Sequence, residues 1–277
     1  MRPSARIIGL AALAVAALAG AAAAEAPPLK RLTLRQDVLG FEAVGRVEIG
    51  AQGYCTGALI APDLVLTAAH CLRGGSSDEA PDIAGMRFRA GLRDGVAVAE
   101  SGVARAVGHP RYDPANPKDL DSVRHDVALL ELAEPIPAAT AAPFAIARLG
   151  NQVRQIDVVS FAKGRDAALS WQDGCRVVGR DVGLIAFDCD VHFGSSGAPV
   201  FDRSAGRPRI VAIIAAGTRE EGKVVSVGME LEKPVAELRR ALRTGQGVLV
   251  AGGSRRIEPR RILPGTKADT GARFVRP

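Results

Sequence analysis

From Val44 to Met229 the hydrophobic residues come mostly in short runs, each stopped by Gly, Pro, Asp or Asn. Residues 57–61 and 64–68 are two such runs, parted by the turn pair Pro62-Asp63. Met86, Phe88 and Ala90 alternate with Arg87 and Arg89, the period of a half-buried strand. Residues 127–132 form another run, closed by Pro135 and Pro137. The second half repeats the style at 156–161, 175–178, 184–187, 199–201, 210–216 and 224–229. Helical spacing is met at Pro234, where Val235, Leu238 and Leu242 fall at i, i+3 and i+7. Many short strands with one late helix predict an all-β barrel or sandwich. The Ala- and Pro-rich stretch from Pro135 to Pro143 is the natural link between two halves.

Aromatic residues make up only 4% of the 277, so the core must be aliphatic. With 47% hydrophobic and 24% charged residues the chain is globular, not intrinsically disordered. The formal charge of +6 suggests an anionic partner until it is located. Residues 1–24 carry +2 and residues 253–277 carry +5, leaving −1 for 25–252. A basic groove for nucleic acid is therefore not expected, and the Pro-containing basic tail, 251–277, reads as a flexible extension.

Arg2 and Arg6 precede a continuous apolar or small run, 7–24, which ends in Ala22-Ala23-Ala24. That layout predicts a secretory signal peptide over 1–24, with export to the periplasm or the medium. An uncleaved membrane anchor is the rival reading. With cleavage no stable membrane span remains, and no other run would support a polytopic membrane protein. Cys55, Cys71, Cys175 and Cys189 are an even set in an exported chain, where thiols tend to pair. Three pairings are possible on paper. The two local ones would close loops of similar size, each worth about 3 kcal/mol in loop entropy. No two cysteines have the close spacing of zinc ligands, so disulfides are expected in place of a zinc site, and no metal or cofactor is expected elsewhere.

Three segments carry candidate chemistry. His70 ends Leu66-Thr67-Ala68-Ala69-His70-Cys71, where a bonded Cys71 would clamp the backbone of a potential general base. Gly194-Ser195-Ser196-Gly197-Ala198-Pro199 sets a hydroxyl among glycines that leave backbone N–H groups open to an oxyanion. Asp126 heads the apolar run Val127-Ala128-Leu129-Leu130 and could fix an imidazole tautomer. Singly, each has a bland reading: a packed histidine, a flexible loop, a strand-capping aspartate.

Together these segments resemble the chymotrypsin-like (trypsin-fold) serine peptidases, in exported bacterial form. The likeness rests on Thr67-Ala68-Ala69-His70-Cys71 with Cys55 upstream, Asp126-Val127-Ala128-Leu129-Leu130, and Gly194-Ser195-Ser196-Gly197-Ala198-Pro199, in that order. It spans about 44–243. It implies two six-stranded antiparallel β-barrels, 44–134 and 146–232, joined by a linker at 135–145 and preceded by a segment at 25–43. A C-terminal helix, 233–244, would follow. It also implies a serine endopeptidase in which His70 is the general base, Asp126 its orienting acid and Ser196 the nucleophile. The N–H groups of Gly194 and Ser196 would form the oxyanion hole. The implied partner is a protein or peptide substrate, and the implied state a monomer.

Digestive members hold an aspartate where this chain has Ser195, and no Ile-Val-Gly-Gly start is visible. Activation by an inserted N-terminal amine is thus not expected. Asp190 falls where trypsin-like members keep the acid that binds Arg or Lys. His192 replaces the usual cysteine, so Asp190 could equally hydrogen-bond within its own turn. His192, Ala215, Ala216 and Gly217 are the remaining candidates for substrate contact. The alternative reading is a catalytically silent relative that binds peptides or an envelope partner.

Overall fold

The structure, a computed structural model, describes residues 28–50, 53–73, 83–220 and 223–252. The expected signal peptide and all but the first two residues of the basic tail lie outside these residues. The described chain opens with a two-residue strand, β1 (Lys30–Arg31). Then come β2 (Val44–Ile49), β3 (Tyr54–Ala61), β4 (Leu64–Thr67), β5 (Met86–Ala90), β6 (Ala99–Gly108) and β7 (Ala128–Leu132). Strands β2–β7 pair in the order β6-β5-β2-β3-β4-β7, and β6 also pairs with β7, which closes an antiparallel barrel. A second barrel contains β8 (Gln155–Ser160), β9 (Ser170–Asp181), β10 (Leu184–Phe187), β11 (Pro199–Asp202), β12 (Arg209–Glu220) and β13 (Lys223–Glu230). Its order is β9-β10-β13-β12-β11-β8, closed by β8 against β9. The expected pair of six-stranded barrels is what the chain forms.

Alternation decides which face goes inward. In β5, Met86, Phe88 and Ala90 are buried while Arg87 is exposed, and Arg87 and Arg89 both pair with Glu100 on neighbouring β6. Closure pairs the outermost strands of each barrel with one another. Between the barrels, Phe41 meets Trp171 and Phe201, and Phe144 meets Phe201, with ring centroids 4.7 to 5.7 Å apart. These aromatics, few as they are, make the seam of a core cluster that spans both barrels, while a second cluster fills the rest of the second barrel.

The connection between the barrels is packed, not free. Ile136 and Phe144 are buried, and their N–H groups donate to Pro62 and Leu59 carbonyls of the first barrel. After the second barrel, helix α2 (Glu232–Thr244) buries Val235, Leu238 and Leu242, each worth about 1.5 to 3 kcal/mol. It starts two residues before Pro234, which sits in its first turn, and Gly245 caps it with φ +74°. The last strand, β14 (Leu249–Val250), pairs with β6 of the first barrel, whereas β1 pairs with β9 of the second. Each end of the described chain therefore straps the opposite barrel.

Strand β6 and a short helix depart from the sequence reading, as do the end strands β1 and β14. Strand β6 shows no clear period in the sequence, because its apolar residues are small and interrupted by Glu100, Gly102 and Arg105. A short helix, α1 (Leu120–Arg124), precedes Asp126, although no helix was expected before Pro234. Asp119 nucleates it: its carboxylate accepts from the N–H groups of Asp121 and Ser122.

Helix α2 is tied to this region by a buried imidazole. His109 Nε2 lies 2.9 Å from Glu237, its Nδ1 accepts from the Arg111 N–H, and its ring stacks on His125 at 4.6 Å. Burial lowers the His109 pKa below 6.5, and the Glu237 carboxylate does not offset it; His125 and Arg111 push the same way as burial. As pH falls through the ordinary histidine range, the unfolded chain takes up this proton before the folded one does. Stability is therefore intact above that range and lost below it. We expect the urea midpoint to fall between about pH 7.5 and 5.5. In His109→Gln the fall should be shallower; an unchanged slope would remove His109 as its source.

Candidate active site

Antiparallel pairing brings the first two candidate residues together. Thr67 at the end of β4 faces Ala128 at the start of β7, so the residues after one and before the other leave the barrel at the same rim. Ala69–Leu72 forms a 3-10 turn there, and Cys71 is bonded to Cys55 on β3, with Cα atoms 6.2 Å apart. Asp126, only 4% exposed, reaches the turn with both oxygens. Oδ1 accepts the His70 backbone N–H at 2.9 Å, and Oδ2 lies 2.6 Å from His70 Nδ1. A carboxylate on Nδ1 places the proton there and leaves Nε2 with a free lone pair.

Ser196 sits in the second of two consecutive turns. The His192 carbonyl accepts from the Ser195 N–H, and the Ser195 carbonyl accepts from the Ala198 N–H, both at 2.9 Å. Gly194 (φ +96°) and Gly197 (φ +74°) occupy the third position of each, where type II turns need a left-handed residue. Space excludes other residues as well. A Cβ on Gly194 would lie 2.3 Å from the Tyr54 ring, and one on Gly197 would lie 2.5 Å from the Thr56 carbonyl.

The turns also aim the backbone. The Phe193 carbonyl accepts from the Lys163 N–H at 2.7 Å, so in a trans peptide the Gly194 N–H points the opposite way. The Ser195 carbonyl, bonded to Ala198, turns the Ser196 N–H in the same manner. Among the described residues neither N–H donates a hydrogen bond within the protein. His70, Gly194 and Ser196 line one cleft of about 480 Å3, walled by Tyr54, Phe193 and the Cys55–Cys71 disulfide. The structure thus gathers His70, Asp126 and the Ser196 loop at one rim. Among the described residues no hydrogen bond joins the Ser196 hydroxyl to the His70 ring.

A profile described as "Trypsin-like peptidase domain" matches residues 55–213, more than half of the chain. The chain belongs to the trypsin-like peptidases. Among its relatives is a glutamyl endopeptidase of Bacillus licheniformis, 26% identical over 157 residues, or 56% of this chain and 47% of that protein. Serine protease 7 of Drosophila melanogaster is 34% identical over 92 residues, 30% of this chain and 22% of that one. The chain spans about half the length of the first relative and less of the second. A solved structure titled "Structure of Glu endopeptidase in complex with MPD" superposes with a TM-score of 0.63, covering 79% of this chain and 98% of that one. At 18% identity this likeness speaks for the fold alone.

In this trypsin-like peptidase several residues that the motifs did not flag hold the Ser196 loop. Thr56 on β3 is the chief one. Its N–H donates to the Ser196 carbonyl at 2.9 Å, and its hydroxyl donates to the Gly194 carbonyl at 2.8 Å. The same hydroxyl accepts from the Phe161 N–H at 3.0 Å, so one side chain links both barrels. Ser195, 1% exposed, donates to the Phe161 carbonyl. Tyr54 limits Gly194 from the other side. A polar residue following a disulfide cysteine was the only signal for Thr56, and that is too common to single it out.

The remaining candidates are more dispersed. Cys175 and Cys189 form the second disulfide, Cα atoms 5.3 Å apart, which ties β9 to the segment before Asp190. Asp190 is half-buried, its N–H donating to Gln172 and its carbonyl accepting from Arg165. His192 is exposed, and its Nδ1 accepts from the Phe193 N–H. Ala215, Ala216 and Gly217 continue β12 past Ile214, whose carbonyl accepts from the Gly197 N–H at 2.8 Å. Cys55, His70 and Cys71 bring potential ligand atoms close together, but both sulfurs are spent in the disulfide. A larger depression of about 700 Å3 lies on the second barrel, with Asp157 and Asp202 on its wall. Those acids are bonded to Arg203 and Arg209, and the depression holds no candidate residue.

Replacing Thr56 by Val would strand the Phe161 N–H and the Gly194 carbonyl in a buried seam. We expect Thr56→Val to cost about 2 to 4 kcal/mol in urea unfolding. A loss below about 0.5 kcal/mol would show that this link carries little.

Proposed function

We propose that the protein is an exported serine endopeptidase that hydrolyses peptide bonds through an acyl-enzyme. The observation that carries this reading is the Asp126–His70 pair, 2.6 Å apart, on the same cleft as Ser196. With Nδ1–H held by Asp126, His70 Nε2 takes the hydroxyl proton as Ser196 Oγ attacks the scissile carbonyl. The electron pair of that carbonyl moves to its oxygen, which the Gly194 and Ser196 N–H groups receive. Asp126 stabilises the imidazolium. Collapse of the intermediate breaks the C–N bond, and His70 returns its proton to the departing amine. Water then attacks the ester with His70 again as base, restoring the Ser196 hydroxyl and releasing the acid.

Catalytic hydrogen bonds are often long before substrate arrives, so the proposed Ser196–His70 hydrogen bond is required only in the complex with substrate. The Ser195 hydroxyl braces the loop from within, where digestive members use an ion pair with a new N-terminus. No amine insertion is needed for such a loop to stand. The unpaired edge at Ala215, Ala216 and Gly217 would receive substrate backbone, with Asp190 and His192 near the substrate's acyl side. Export rests on the 1–24 pattern, and the two disulfides agree with it.

A fluorophosphonate should label Ser196 stoichiometrically in the folded mature protein. Ser196→Ala should abolish labelling and lower peptide hydrolysis by about 10⁶-fold. Asp126→Asn, which misplaces the imidazole proton, should lower kcat by about 10⁴-fold. Folded protein that takes no label would instead support the silent, peptide-binding relative.

A further inference from the structure

We infer that Val191 narrows the acyl-side pocket so that the enzyme cleaves after small residues, glycine, alanine or serine, and not after basic ones. This inference rests on Ser196 being the nucleophile. Strand β12 pairs with β13 from Ala212 to Glu220, but its other edge pairs with β11 only as far as Ile213. Beyond that point the edge at 215–217 is open, the kind of edge to which an extended peptide adds as a strand. The Gly197 N–H bond to Ile214 sets this edge directly beside Ser196. Opposite runs the segment 189–191, pinned by the Cys175–Cys189 disulfide and by the Ser226 hydroxyl, which donates to the Cys189 carbonyl at 2.8 Å. A peptide laid on the open edge with its carbonyl at Ser196 turns the adjoining side chain into the gap between these two walls.

Val191 already occupies that gap. A Cβ placed on Gly217 would lie 2.5 Å from Val191 Cγ2, so the isopropyl group rests against the Gly217 backbone and the walls touch. A long side chain would have to displace a branched residue packed on the second-barrel core. The floor is answered as well. Arg165 Nη2 donates to the Asp190 carbonyl, and Arg165 Nη1 donates to Ser160. Burial lowers the Arg165 pKa, with the Asp190 charge acting against that fall, so the two groups feel each other within the fold. A resident guanidinium thus already lies beside Asp190, bound to its main-chain carbonyl. The literal reading of Asp190 as a selector for basic residues gives way to size exclusion.

Peptidyl diphenyl phosphonates carrying Ala, Phe, Arg or Glu next to phosphorus test this, with a simple fluorophosphonate run alongside to report Ser196 reactivity. We expect the Ala probe to inactivate at least about tenfold faster than the other three. In Val191→Gly the Phe-to-Ala ratio should rise by about tenfold or more. Equal rates, or a preference for Arg, Phe or Glu, would overturn the inference while fluorophosphonate labelling kept Ser196 as nucleophile. Failure of every probe, fluorophosphonate included, would take down the hydrolase reading and this inference with it.

Discussion

A buried carboxylate is costly unless donors surround it, and Asp126 is where this chain meets that cost. Its two oxygens are spent on the His70 main-chain N–H and the His70 ring. The rest of the first barrel's rim is arranged around that requirement. The β4–β7 register brings the two residues to one end, the Cys55–Cys71 bond fixes the turn, and Asp119 starts the helix that delivers Asp126. Tyr112 belongs to the same neighbourhood. Burial, with Asp126 adding to it, pushes its pKa up to about 12, so the phenol stays neutral beside the carboxylate.

The second barrel contributes a loop that must be rigid without a side chain to spare. Two glycines in left-handed conformation give it shape, while Thr56 and Ser195 give it anchorage. These anchors are neutral hydroxyls with fixed partners, at a place where the family's digestive branch uses charge. Neutral anchors need no charged partner, and beside them Arg165 binds the Asp190 main-chain carbonyl. The proposed catalytic roles and the proposed pocket thus draw on one set of interactions around residues 189–197.

The grouping into two six-stranded barrels came from the family resemblance, but most single strands were legible because alternation and turn residues mark them locally, as at Met86–Ala90. Strand β6 was not, since small residues and a glycine blur its period. His70, Asp126 and Ser196 could be singled out because a chemically demanding arrangement restricts their neighbours. Thr56, Arg165 and Val191 could not. Each matters through a partner more than a hundred positions away or through a contact with a backbone, as with Gly217, and neither leaves a local pattern. The role of Asp190 was ambiguous for the same reason: its meaning depends on what faces it.

The crossed termini bear on how such a molecule could be rebuilt. Because β1 lies on the second barrel and β14 on the first, neither barrel is a self-contained cassette. A chimaera spliced at the connection near residue 140 would give each half a strap evolved for a different partner. The exchangeable module is therefore a barrel together with the far end of the chain, a discontinuous unit that simple recombination does not deliver.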